Sequence, residues 1–269
     1  MNKLFAYPGG KWPIRNKIIA LFPPHLTYVD VFGGSASILI AKPPSIGEVF
    51  NDNNEDLVNF FRVVKHRPAE LVERAKFWIH SRVLWTEKKE DLRLKDEVAR
   101  AFRFWVHLED SFGGMGGTFG TSREAARSVT HARDYLEEIA NRLRSAHIEC
   151  LDFMACIKKY DASETFFYCD PPYPGTKGGD RNYDQLSERQ WQDLREILLG
   201  IKGKFLLSSS DHKMVRSLFK TFTIARITAP VSLALRSKIS HRQELLIANY
   251  RLPGKRRKVE IRSKMTCEM

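Results

Sequence analysis

Thr165-Phe166-Phe167-Tyr168-Cys169-Asp170-Pro171-Pro172-Tyr173 is the stretch on which the reading of this chain turns. Its first five residues have the length and the β-branched and aromatic content of a strand buried on both faces, as found inside a parallel sheet. The strand must stop at Asp170, because two consecutive prolines supply no backbone N–H to extend a ladder. The same prolines stiffen the chain at the strand's end, so a carboxylate, carbonyl oxygens and an aromatic ring are presented together in fixed geometry. That set suits an exocyclic amino group. Asp170 can accept one amino hydrogen and the Pro171 carbonyl another, which draws the nitrogen lone pair out of conjugation and toward an electrophilic methyl, while Tyr173 stacks on the ring. A base buried in a duplex must leave its stack to reach such a site, and stacking on Tyr173 would offset roughly 1–3 kcal/mol of that cost.

Working outward, short β-rich runs at 27–32, 48–51, 148–151, 204–209, 221–228 and 244–250 join the central one at 165–169. Between them, 54–65 and 187–199 carry apolar residues at helical spacing, and Ser187 with Gln190 three residues on forms a capping box. Strands alternating with helices predict an α/β fold, a parallel sheet covered by helices on both faces. The pattern changes over 67–143, where helix-like stretches rich in Arg, Lys and Trp are interrupted by a glycine-rich run from Ser111 to Gly120. The expected organisation is a discontinuous catalytic body, 1–66 with 144–253, and an inserted, mainly helical lobe, 67–143. A basic tail, 254–269, is expected to be disordered.

A second feature lies after the first strand, where the chain runs into Gly33-Gly34-Ser35-Ala36-Ser37 and then into a helix start. A glycine turn at that place lets the backbone approach a ligand at the carboxyl edge of the sheet. Nineteen residues beyond Gly33, Asp52 ends the next strand, where an acid can accept hydrogen bonds from ribose hydroxyls. Turn and acid together fit an adenosine-containing cofactor. A dinucleotide is disfavoured, since no complete GxGxxG is present.

Composition narrows the partner. The 269 residues carry a formal net charge of +12, with 43% hydrophobic residues; the second figure allows a real core, and the first favours a polyanion, because lysines and arginines near phosphates release condensed counterions. Nucleic acid is the leading candidate. No run of 18 or more apolar residues and no secretory leader is visible, so a cytoplasmic location away from membranes is expected. Cys150, Cys156, Cys169 and Cys267 lack zinc spacing and read as ordinary thiols; no metal is expected.

On these motifs the chain resembles the Dam-type N6-adenine DNA methyltransferases, over most of its length outside the lobe and tail. Tyr7-Pro8-Gly9-Gly10-Lys11-Trp12 looks like the family's amino-terminal cofactor motif, with Lys11 close to the site. Asp30-Val31-Phe32-Gly33-Gly34-Ser35-Ala36 looks like its Phe-x-Gly-x-Gly, Asn51-Asp52-Asn53-Asn54 resembles the acidic segment after the second strand, and Leu151-Asp152-Phe153 the residues that contact the cofactor's adenine. Asp170-Pro171-Pro172-Tyr173 completes the set. The resemblance implies a Rossmann-like methyltransferase sheet with a DNA-recognition lobe, S-adenosylmethionine as methyl donor, double-stranded DNA as partner and no obligatory protein partner. It implies a catalytic set of Asp170, Pro171, Pro172 and Tyr173. The cofactor-binding set is Tyr7, Gly10, Lys11, Asp30, Phe32, Gly33, Gly34, Ser35, Ala36, Asp52, Asp152, Phe153 and Asp170. Ala36 departs from the pattern, standing where the family has its second glycine; weaker cofactor binding is the expected consequence.

The residues alone leave the substrate open, since cytosine N4 or adenine in RNA would use the same amino-group chemistry. Cytosine C5 chemistry is excluded by the absence of a Pro-Cys nucleophile. A DNA-binding relative that has lost catalysis is opposed by the intact Lys11, Asp170 and Tyr173. Candidates for DNA contacts in the lobe are Arg103, His107, Arg123, Arg127, Arg133 and the loop 112–122, while Trp78, Trp85 and Trp105 read as core. The glycine-rich segment 175–183 reads as a loop that closes over the flipped base; Ser208-Ser209-Ser210-Asp211 ends a strand at the expected active-site edge, and a place in the site and a helix cap account for Asp211 equally well.

Overall fold

The computed structural model describes residues 4, 5, 7, 9–76, 78, 81–83, 85, 86, 95–111, 118–120, 136–175, 185–231 and 240–252. The tail from 253, the glycine-rich run 112–117, the loop 176–184 and the candidates Arg123, Arg127 and Arg133 lie outside them. Seven strands form one sheet: β1 (Thr27–Asp30), β2 (Gly47–Asn51), β3 (His147–Glu149), β4 (Thr165–Cys169), β5 (Lys204–Ser210), β6 (Thr223–Val231) and β7 (Ser240–Ala248), in the order β3-β2-β1-β4-β5-β7-β6. All seven regions expected from sequence are strands.

Each inner strand sends successive side chains to opposite faces. Tyr28, Phe50, Phe166, Tyr168, Leu206 and Leu246 enter one apolar cluster, while Val29, Val49, Phe167, Cys169, Leu207 and Leu245 enter another. Helices cover both faces, as buried parallel strands require. On the first side lie α1 (Arg15–Ile19), α2 (Ser37–Ala41), α3 (Glu55–His66), α4 (Pro68–Lys76), α5 (Glu97–Glu109) and α6 (Leu136–Leu143); on the second lie α7 (Phe153–Tyr160), α8 (Glu188–Gly200) and α9 (Lys213–Leu218). Asn54 caps α3 through the amides of Asp56 and Leu57, and the capping box between Ser187 and Gln190 opens α8.

The sheet departs from the expected all-parallel pattern at one strand. β1 to β5 pair in parallel, but β7 runs antiparallel between β5 and β6. The physical reason is connection length: β6 ends at Val231 and β7 begins at Ser240, too few residues for a helical crossover, so the chain turns back beside itself.

The described helices of 67–143 share the first apolar cluster. Ala101, Trp105 and Leu108 of α5 and Ile139 and Leu143 of α6 are buried there with Phe60, Phe61 and Val64 of α3. Trp105 and Trp85 are buried and Trp78 is half-buried against this cluster, as the core reading expected. Buried polar contacts anchor α6: Arg142 donates to Glu48 Oε1 at 2.8 Å and to the Leu39 carbonyl at 2.6 Å, and Lys42 pairs with the same carboxylate.

Candidate active site

Strand order reverses beside β1. The chain adds β2 and β3 on one side of β1 and then returns to place β4 on the other, which leaves a crevice at the carboxyl ends of β1 and β4. The two features singled out in the sequence end at this crevice: the glycine turn follows β1, and Asp170 follows β4.

Asp170 is held from two directions. Lys11 Nζ lies 2.7 Å from its Oδ2, and Ser208 Oγ donates to Oδ1 at 2.7 Å. Ser208 sits on β5, the neighbour of β4, and its oxygen lies 3.1 Å from the Tyr168 hydroxyl. Burial, then the charge of Asp170, push the Tyr168 phenol well above its usual range, so it stays protonated and donates to Ser208. Lys11 also donates to the Gly9 carbonyl at 2.6 Å and stands 4.8 Å from the centre of the Tyr173 ring. The carboxylate is 18% exposed and the lysine 3%, so Asp170 faces an opening while its cation is sealed behind it. Pro171 and Tyr173 are buried and Pro172 half-buried.

The glycine turn is built against the amino-terminal motif. A side chain on Gly34, whose φ is +49°, would meet the Tyr7 ring at 2.9 Å, and the Gly10 amide donates to the Tyr7 carbonyl at 3.0 Å. Ser35 and Ser37 share a hydrogen bond of 2.7 Å. Ala36 takes the left-handed backbone, φ 53° and ψ 22°, that its glycine-replacing position demands, and its methyl is fully buried in the first apolar cluster. The departure from the family pattern is therefore carried as backbone strain.

Asp52 accepts from the Gly34 amide at 3.0 Å and the Asn54 amide at 2.9 Å, so it fastens β2 to the glycine turn. Asp152 is exposed and caps α7 through the amides of Met154 and Ala155. Phe153 stacks on Phe32 with ring centres 5.7 Å apart, which joins the start of α7 to the end of β1. The sequence-derived residues thus line one sheet edge, from Asp152 past Asp52 and Asp30 to Asp170.

That edge fits S-adenosylmethionine, whose sulfonium and ammonium are cationic. Asp30 is 2% exposed; burial first, and then the charge of Asp170, raise its pKa well above the carboxylate range. Burial likewise raises Asp52. Both carboxyls would ionise more readily beside a cationic ligand. Among the described residues no group of His, Cys, Asp and Glu has the arrangement of a metal site.

Three site residues escaped the sequence reading of roles. Ser208 was visible only as one of three serines ending a strand. Asn51 stitches three strand ends together, donating to the Val31 and Leu151 carbonyls at 2.9 and 3.0 Å and accepting from the Leu151 amide at 3.0 Å. Glu244, on β7, is fully buried and accepts from the Tyr173 hydroxyl at 3.3 Å. Of the two readings of Asp211, the helix cap does not hold: His212 caps α9, while Asp211 is drawn into ion pairs with Arg216 and Arg226.

The family model of the D12 class N6 adenine-specific DNA methyltransferases matches residues 7–233. The chain belongs to that family. The enzyme accordingly methylates adenine N6 in DNA, with S-adenosylmethionine as the methyl donor. It is similar to the Type II methyltransferase M1.LlaDCHI of Lactococcus lactis subsp. cremoris, 26% identical over 93% of this chain and 97% of that protein. It is also similar to the retron Ec67 DNA adenine methylase of Escherichia coli, 23% identical over 87% and 86%, and to a DNA adenine methylase of Salmonella typhimurium, 21% identical over 94% and 96%. Among solved structures, the rRNA methyltransferase aviRa from Streptomyces viridochromogenes aligns with 93% of this chain and 90% of its own at 13% identity, with a TM-score of 0.40. No helix among the described residues is long and apolar enough to cross a membrane.

Proposed function

We propose that the enzyme acts on a specific sequence of double-stranded DNA in the cytoplasm, taking the target adenine out of the helix and methylating it at the crevice between β1 and β4. What carries this reading is the clamping of Asp170 between Lys11 and Ser208, beside the Tyr173 ring and opposite the glycine turn. The flipped adenine stacks on Tyr173. Its amino group donates one hydrogen bond to Asp170 and another to the Pro171 carbonyl, so the nitrogen lone pair is left facing the cofactor side of the crevice. Because the carboxylate is already fixed by two side chains, little reorganisation accompanies the change of the nitrogen from planar to tetrahedral. S-adenosylmethionine, when bound, supplies an electrophilic methyl. Tyr7, Gly10, Lys11, Asp30, Phe32, Gly33, Gly34, Ser35 and Ala36 form the wall that receives its amino-acid part, with Asp52 for the ribose and Asp152 and Phe153 for the adenine.

The lobe 67–143 reads the DNA in this proposal. Its His107 is stacked on Trp85 with ring centres 5.0 Å apart, and Arg103 is half-buried. The basic tail 254–269 adds nonspecific attraction.

The decisive experiment is Asp170→Ala. It is expected to keep DNA binding, measured by fluorescence anisotropy, and to lose methylation, measured by mass spectrometry of product nucleosides. A variant that still forms N6-methyladenine would mean that the reacting centre lies elsewhere.

A further inference from the structure

β7 carries an expensive residue. Leu245, Leu246, Ile247 and Ala248 are fully buried, and Glu244 before them is equally inaccessible, paired in register with Ser210 of β5 and Ile227 of β6. Burying a carboxyl group costs several kcal/mol unless its hydrogen bonds compensate, and an aliphatic side chain would serve the sheet better. One group it touches lies in the active site: the Tyr173 hydroxyl, 3.3 Å from Oε2. Tyr173 is 8% exposed, and its ring is the surface under the Lys11 ammonium. Burial first, and then the charges of Asp170 and Glu244, push the phenol well above its ordinary range, so the hydroxyl remains a donor at any working pH.

Tyr173 leaves the sheet behind two prolines, so the local backbone is stiff but leaves both side-chain torsions to be set by contacts. Lys11 lies over the ring, and a contact of that kind tolerates rotation within the ring plane. The bond to Glu244 is directional and comes from a different strand, one built into the sheet on both sides. We propose that Glu244 is a positioning residue: by accepting the Tyr173 hydroxyl it fixes the ring against which the target adenine stacks, and so sets where the amino group meets Asp170. The inference rests on reading Asp170 to Tyr173 as the amino-group site, with Tyr173 as its stacking wall.

The test uses Glu244→Gln, Glu244→Leu, Tyr173→Phe and the double variants in the full-length enzyme. Single-turnover methylation, cofactor affinity and the fluorescence of 2-aminopurine at the target position are read for each. Glu244→Gln keeps an oxygen acceptor and should retain the rate within about threefold. Glu244→Leu and Tyr173→Phe should each slow methylation about tenfold, equivalent to about 1.4 kcal/mol, with cofactor affinity unchanged and the 2-aminopurine signal altered in the same way. On the Tyr173→Phe background Glu244→Leu should add little, because the bond is already gone. Should Glu244→Leu fail to fold, Tyr173→Phe carries the test alone: a Tyr173→Phe enzyme of full rate and unchanged 2-aminopurine signal overturns the inference. Effects that multiply in the double variant, or a Glu244→Leu enzyme of full rate, would overturn the inference. Tyr173→Ala separates the two levels. Full activity there sinks the reading of the site itself, whereas lost activity with a silent Glu244→Leu sinks the role of Glu244 alone.

Discussion

Gly33→Ala should damage the enzyme through one identifiable collision. A methyl at Gly33 would stand 2.2 Å from Cε2 of Phe50, with two further ring atoms at 2.6 and 2.7 Å. Ordinary contact begins near 3.4 Å, so the two groups must separate by 3.4 − 2.2 = 1.2 Å. Phe50 has no room to yield, being fully buried with its ring centre 4.5 Å from that of Phe61. The movement therefore falls on the turn, which the Gly33 amide anchors to the Asn51 carbonyl at 2.7 Å. Overpacking of this kind costs about 1–3 kcal/mol, and the upper end applies because neither partner is flexible. For a chain of this length about 3 kcal/mol lowers Tm by roughly 6–12 °C. A turn displaced by about 1 Å should also weaken catalysis on the order of a hundredfold. Thermal unfolding and single-turnover methylation measure the two effects, and calorimetric titration with S-adenosylmethionine reads cofactor affinity beside them. Phe50→Leu supplies the control: it removes ring atoms from the collision, so Gly33→Ala should cost measurably less on that background. Equal costs on both backgrounds, or a Gly33→Ala protein with the parent's Tm and cofactor affinity, would refute the steric argument.

Two further outcomes follow from the same edge of the sheet. Ala36→Gly relieves a left-handed alanine, worth about 1–2 kcal/mol, but gives up a buried methyl of about 0.8 kcal/mol and adds about 0.5–1 kcal/mol of backbone entropy cost. Tm should stay within about 4 °C of the parent; a larger fall would place the methyl's packing above the strain. Asp30→Asn tests electrostatics. Folding raises the Asp30 pKa, so the folded state holds that proton more tightly than the unfolded state, and stability is lost as pH rises from the ordinary carboxylate range through the raised value. The ligand-free Asp30→Asn protein should thus be more stable than the parent above that window, with the difference shrinking as pH falls. It should bind the cationic cofactor more weakly. Unfolding curves between pH 5 and 8 check the sign, and a less stable variant at pH 8 would contradict it.

The parts of this enzyme legible in its sequence are those written by neighbouring residues. Burial on both faces of 165–169 is visible as an unbroken apolar run, the stop at Asp170 as two prolines, and the starts of α3 and α8 as Asn54 and the Ser187–Gln190 pair, because caps and ladders are decided within a few residues. The glycine turn, Asp52 and the tetrapeptide each mark a strand end, and the family resemblance joined Lys11 to them.

Only the tertiary structure decided which of these atoms touch and what stands behind them. The antiparallel course of β7 depends on pairing between segments far apart in sequence, and it carries Glu244 to the back of Tyr173. Parallel pairing of β4 with β5 brings Ser208 to Asp170, 38 residues away. The left-handed backbone of Ala36 is imposed by the turn around it, against the residue's own preference. Local sequence fixes the conformation of short segments, whereas hydrogen bonds across strands depend on register, which the packing of the whole sheet sets.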